Sequence, residues 1–163
     1  MHSVLMKQLA AIALGSNLPS PWGDREANLR EAILRIATLG DIRAISSFYD
    51  TAPIGFTDQP NFLNAALLLE TELGPQELMR ALLDIERAMG RDRTTATAKG
   101  PRVIDLDLLL MDHLVLSTPG LTLPHPALAA RRFVLEPLAE IAPGLVDPAS
   151  RRTIAQMLAH LQS

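Results

Sequence analysis

Apolar and polar positions along this chain repeat with two periods, one close to two residues and one close to 3.6. Residues 9–14 form a short apolar run closed by Gly15-Ser16-Asn17, the pattern of a strand entering a turn. Between residues 24 and 39, Leu29, Ile33 and Ile36 recur at helical spacing, and Gly40 marks a stop. Residues 42–49 read as a second strand, 51–60 as a loop broken by Pro53, Gly55 and Pro60, and 62–71 as a third, longer strand. Pro75 suits the first turn of a helix whose face carries Leu78, Leu82, Ile85 and Met89, with Gly90 ending it. Residues 91–101 are polar and without period, which predicts a mobile loop, and 102–111 turn apolar again as a fourth strand.

The order β-α-β-β-α-β predicts a split βαβ arrangement, the ferredoxin-like α+β fold. An antiparallel sheet with both helices on one face fits it and leaves the other face free for a site. Beyond this core, residues 121–126 read as extended and 133–142 as a short helix. Residues 151–161 place Ile154, Leu158 and Leu161 on one helical face, so a C-terminal helical extension is expected. Residues 1–163 are read as a single domain.

Composition narrows the class. Hydrophobic residues make up 48% and charged residues 20% of 163, which suits a packed core and argues against disorder. A net charge of -3 gives no reason to expect a nucleic-acid or membrane partner. The absence of cysteine excludes disulfides and zinc–thiolate sites, and the four histidines lack metal-cluster spacing. No apolar run reaches the length of a membrane span, and residues 1–14, interrupted by Lys7, read as a first strand rather than a signal peptide. A cytoplasmic protein is expected.

Chemistry concentrates near residue 105. Alternation along a strand puts Asp105 and Asp107 on one face and Ile104, Leu106 and Leu108 on the other. The two carboxylates, with Cα atoms roughly 6.5–7 Å apart, would repel each other where water is scarce, and a divalent cation would relieve this. Magnesium suits such a pair, since it takes one or two carboxylates together with phosphates and water. An edge strand with two solvated aspartates is the plainer alternative. Arg91, Arg93, Lys99 and Arg102 crowd the preceding segment and suit phosphate recognition. For Arg91 and Arg93, a solvated loop after a helix C-terminus is the competing reading. Strand parity would turn Arg102 away from Asp105 unless the Gly100-Pro101 turn re-aims it. His125, framed by Pro124 and Pro126, can meet a phosphate or act as an acid, or be purely structural. Phe62, Asn64 and Phe133 are consistent with an aromatic slot bearing one polar recognition group, with core packing the default for the phenylalanines.

Six motifs occur in register over residues 10–145. They are Ala13-Leu14-Gly15-Ser16-Asn17-Leu18, Ser46-Ser47-Phe48-Tyr49, Gln59-Pro60-Asn61-Phe62-Leu63-Asn64-Ala65-Ala66, Ile85-Glu86 with Gly90-Arg91, Gly100-Pro101-Arg102-Val103-Ile104-Asp105-Leu106-Asp107, and Leu123-Pro124-His125-Pro126. Together they resemble the 6-hydroxymethyl-7,8-dihydropterin pyrophosphokinase family. The resemblance implies transfer of pyrophosphate from ATP to the hydroxymethyl group of 6-hydroxymethyl-7,8-dihydropterin, with release of AMP, in folate biosynthesis. It implies two Mg2+ ions on Asp105 and Asp107, and ATP contacts from Arg91, Arg102, His125 and Arg131, with Arg91 and Arg102 serving catalysis. It further implies a pterin site of Thr51, Ile54, Phe62, Asn64, Glu86 and Phe133. Phe62 stands where a tyrosine is familiar, Lys99 where tryptophan is frequent, and the loop before Gly100 looks one residue longer. A monomer is expected. A non-catalytic ferredoxin-like binding module and another metal-dependent phosphotransferase are the alternatives in other classes.

Overall fold

The computed structural model describes residues 6–53, 58–90 and 101–162. Strand β1 (Gln8–Ser16) lies between β4 (Phe62–Thr71) and β5 (Asp105–Met111) and pairs antiparallel with both. β2 (Asp41–Ile45) pairs antiparallel with β4, giving the order β2-β4-β1-β5. Helix α1 (Arg25–Ile36) connects β1 to β2, and α2 (Pro75–Ala88) connects β4 to β5. Each helix therefore spans two strands with a third inserted between them, which is the interleaved pair of split βαβ units predicted from the element order.

Local chemistry sets the helix bounds. The Asp24 carboxylate accepts from the Ala27 N–H at 2.9 Å and starts α1. Pro75 opens α2, where Glu77 reaches back to the Gly74 N–H. Their apolar stripes meet one sheet face: Leu29, Ala32 and Ile36 with Leu78, Leu82, Ile85 and Met89, over Ile12, Leu14, Leu67, Leu69, Ile104, Leu106 and Leu108. The predicted inward set of the acidic strand is thus on the helix side.

The opposite face is only partly free, contrary to the sequence expectation. Helix α3 (Arg132–Ile141) and α4 (Ile154–Gln162) cover much of it, packing Val134, Leu135, Leu138, Ile154 and Met157 over Ala11, Ala13, Ala66, Leu68, Leu109 and Leu110. The signal was present in β1, whose apolar run does not alternate, as befits a strand buried on both faces. Small alanines there let α3 approach closely. Glu140 of α3 is tied to the far edge by accepting from the Ser47 N–H and from Tyr49 Oη at 2.7 Å. That bond pushes the Tyr49 phenol up to about 12 and, with the Ser47 N–H, holds Glu140 below the usual carboxylate range.

The strand expected over residues 42–49 is two strands, β2 and β3 (Tyr49–Thr51), both on the same edge of β4. At the break the Ser46 hydroxyl accepts the Ala66 N–H at 2.9 Å, in place of a strand carbonyl. A hairpin of β6 (Leu116–Thr118) and β7 (Leu121–Leu123) follows β5, where only the second arm was expected. Among the described residues no helix is long and apolar enough to cross a membrane.

Leu135 is fully buried between α3 and the sheet. Leu135→Ala is expected to lower the unfolding free energy by about 2–5 kcal/mol, read from urea denaturation. A loss under about 1 kcal/mol would show that the second layer contributes little.

Candidate active site

The C-terminal end of β1 is where the second face opens. Register places Ala13 beside Asp107 and Gly15 beside Asp105 on one side, and Gly15 beside Asn64 on the other. No long side chain stands between the acids and the amide. A Cβ on Gly15 would lie 2.9 Å from Asn64 Oδ1, so glycine keeps this row clear. The result is a cavity of about 250 Å³ whose lining includes Thr51, Phe62, Asn64, Arg102, Asp105, Asp107, Arg131 and Phe133.

Its acidic wall is built by β5. Strand pairing begins at Asp105, not at residue 102, so parity does not govern Arg102. Arg102 lies on the segment entering the strand, and its Nη1 is 3.2 Å from Asp105 Oδ2. That segment is fixed by Asn17, which is 3% exposed: Asn17 Oδ1 accepts the Arg102 N–H at 2.7 Å and its own N–H donates to the Arg102 carbonyl at 3.0 Å. The Asn17 amide also donates to Gln59 Oε1 and the Pro60 carbonyl. One buried side chain thereby joins the entries to β4 and β5. Asn17 and Gly15 carry no side-chain chemistry in the sequence pattern, and only their place in the first motif marked them.

Arg131, at the start of α3, sits with Nη1 4.0 Å from Asp107 Oδ2 and its guanidinium 5.8 Å from the centre of the Phe133 ring. Across the cavity, Asn64 donates to Thr51 Oγ1 at 2.5 Å, pairing β4 with β3 through side chains. Phe62 and Phe133 are half-buried and line the cavity.

His125 lies outside the lining but within electrostatic reach of it. A one-residue bulge in β5 leaves Leu109 between the pairs Leu110–Ala11 and Leu108–Ile12. The Leu109 carbonyl accepts the His125 N–H at 2.7 Å, and His125 Nδ1 accepts from the Ala127 N–H at 3.1 Å. Nδ1 being an acceptor, the proton of the neutral ring is on Nε2. Burial pushes the imidazole below its ordinary range, Arg131 adds to this, and Asp105 opposes it.

Glu86 is placed elsewhere. It is 1% exposed on α2, and its Oε2 accepts the Leu106 N–H at 2.7 Å, on the helix side of β5. Glu86 is not among the residues that line the cavity, and it shares its helix with the core residues Leu82 and Ile85. Ile54, Arg91, Arg93 and the predicted loop of residues 91–101 up to Gly100 lie outside the described residues.

The acidic pair fits a hard divalent cation. Its donors are all carboxylate oxygens, facing a cavity, with side chains 22% and 26% exposed. No group of three or more histidine, cysteine or acidic residues gathers among the described residues. Two carboxylates leave the remaining positions to phosphate oxygens and water, the usual arrangement for magnesium.

The profile of the 7,8-dihydro-6-hydroxymethylpterin-pyrophosphokinase family, HPPK, matches residues 11–143. The chain belongs to this family. A 2-amino-4-hydroxy-6-hydroxymethyldihydropteridine pyrophosphokinase of Methylorubrum extorquens is 44% identical over 154 residues, covering 93% of this chain and 92% of the relative. Folic acid synthesis protein fol1 of Schizosaccharomyces pombe is 37% identical over 96% of this chain, which spans only 21% of that longer protein. A crystal structure of Plasmodium falciparum HPPK-DHPS with pteroate superposes with a TM-score of 0.74 at 14% identity, over 98% of this chain and 43% of that one. This last likeness extends the HPPK fold across the C-terminal helices.

Two outcomes test the site as built. Gly15→Ala should displace Asn64 and narrow the cavity, lowering the unfolding free energy by about 1–3 kcal/mol in urea denaturation while unfolding remains cooperative; an unchanged midpoint would show that the row has slack. The His125 ring should titrate below 6.5 by NMR. Unfolded chains then bind more protons than folded ones just below that pH, so stability falls on acidification through this window and His125→Gln removes that part. A midpoint above 6.5 would reverse the sign.

Proposed function

We propose that this chain transfers pyrophosphate from ATP to the hydroxymethyl group of 6-hydroxymethyl-7,8-dihydropterin, giving the pterin diphosphate and AMP in folate synthesis. The observation that carries the reading is the single cavity with Asp105 and Asp107 on one wall and Phe62, Asn64 and Phe133 on another, in a chain of the HPPK family. One wall suits a metal-bound polyphosphate and the other a flat heterocycle with polar edges.

In this reading the aromatic side chains stack on the pterin and Asn64 hydrogen-bonds its edge, held in orientation by Thr51. Ile54 is proposed to add backbone contacts. Arg91, Arg102 and Arg131 balance the triphosphate charge, and neutral His125 donates from Nε2–H to a phosphate oxygen. Asp105 and Asp107 hold Mg2+, with two ions proposed. Bound there, the metal would polarise the phosphates and stabilise charge on the leaving group. The alcohol oxygen bonds to the β-phosphorus as the bond to the α–β bridging oxygen breaks. AMP leaves with that oxygen, and the proton of the alcohol passes to solvent water. The protein contributes position and fixed charge, the main levers in phosphoryl transfer. We also propose that the chain acts as a monomer in the cytoplasm.

Incubation with Mg2+, ATP and the reduced pterin should yield AMP. Asp107→Ala should lower turnover by about 10²–10³-fold with near-unchanged thermal unfolding. ADP as product would make the chain a different phosphotransferase, and failure to bind nucleotide would make it a binding module.

A further inference from the structure

Each carboxylate assigned to metal already faces a guanidinium. Arg102 Nη1 is 3.2 Å from Asp105 Oδ2, and Arg131 Nη1 is 4.0 Å from Asp107 Oδ2. The four side chains are 18–37% exposed, so the pairs are screened less than surface pairs. Two acids on one strand face are stabilised by neighbouring positive charge, and Arg102 and Arg131 contribute to it.

Arg102 is not at its best partner, however. Its Nε is buried with no hydrogen-bond acceptor among the described residues. A group built for forked, two-nitrogen recognition is joined to Asp105 through one nitrogen. Such a guanidinium has capacity for further acceptor oxygens. Arg131 holds Asp107 at the limit of ion-pair distance and rests over the Phe133 ring, so its placement does not depend on the carboxylate alone.

We propose that Arg102 and Arg131 are place-holding cations, which neutralise Asp105 and Asp107 until a divalent cation arrives with a polyphosphate and then pass from the carboxylates to phosphate oxygens. This rests on the pyrophosphokinase reading and adds an order to it. A metal arriving alone must compete with the guanidiniums already at the carboxylates, so it binds weakly. A metal arriving with nucleotide brings the oxygens that receive them. Metal and nucleotide affinities are then coupled, and equally in both directions.

The probe is Mn2+, titrated by EPR into nucleotide-free protein and again with a non-hydrolysable ATP analogue. Arg102→Gln and Arg131→Gln should each raise nucleotide-free Mn2+ affinity by about tenfold, because a competing cation within 4 Å is gone. The same variants should bind the Mn2+–analogue pair more weakly, whereas Arg102→Lys should keep wild-type Mn2+ affinity without nucleotide. Unchanged or weaker nucleotide-free binding in folded Gln variants overturns the exchange, leaving the arginines as phosphate ligands or fold supports. Thermal unfolding identifies a variant that fails to fold, and Arg131→Gln, at the more exposed position, then decides. If the wild type binds no nucleotide, the pyrophosphokinase reading falls and the exchange with it.

Discussion

Because β1 is hydrogen-bonded along both edges and covered over most of both faces, its side chains must serve two packing problems at once. Ala10, Ile12 and Leu14 fill the layer beneath α1 and α2. Ala11 and Ala13 lie against the second layer, and Gly15 ends that row with no side chain at all. The sequence of sizes along one face is what turns a buried strand into a cavity wall. Larger residues would seal the space that α3 leaves open, and polar ones would break the core on which Asp105 and Asp107 are mounted.

The site divides its charges according to what each must do. Its acids are on β5, locked by pairing to β1, while its arginines come from the segment entering β5 and the start of α3. Strand backbone gives the carboxylates a fixed separation. The arginines reach the carboxylates from outside the paired strands, so under the proposed exchange they would change partner without moving the sheet. Asn17 pins the Arg102 backbone, so any change of partner there is confined to the side chain.

Much of this was legible because two periods were enough. Alternation correctly assigned Asp105 and Asp107 to one face and Leu106 and Leu108 to the other, and helical spacing found the stripes of α1 and α2. Periodicity failed where a side chain replaced a backbone partner or where a strand began late. Ser46 breaks the edge strand by answering Ala66 with its hydroxyl. Arg102 escapes strand parity because it precedes the first pair. Glu86 carries a contact that no spacing rule announces: from helix α2 its carboxylate accepts the Leu106 N–H of β5. The second-face cover by α3 was visible in the unbroken apolar runs of β1 and β4.

The bulge at Leu109 has a consequence for how the site tolerates change. It puts the two halves of β5 one residue out of phase, so Asp105 and Asp107 keep their facing while Leu110 and Met111 follow a separate count. Residues after the bulge can be exchanged or re-registered without turning either carboxylate from the cavity. The same irregularity frees the carbonyl on which His125 is indexed. A defect in the ladder thus works as a joint, separating the part of the strand that must be conserved in orientation from the part that only has to pack.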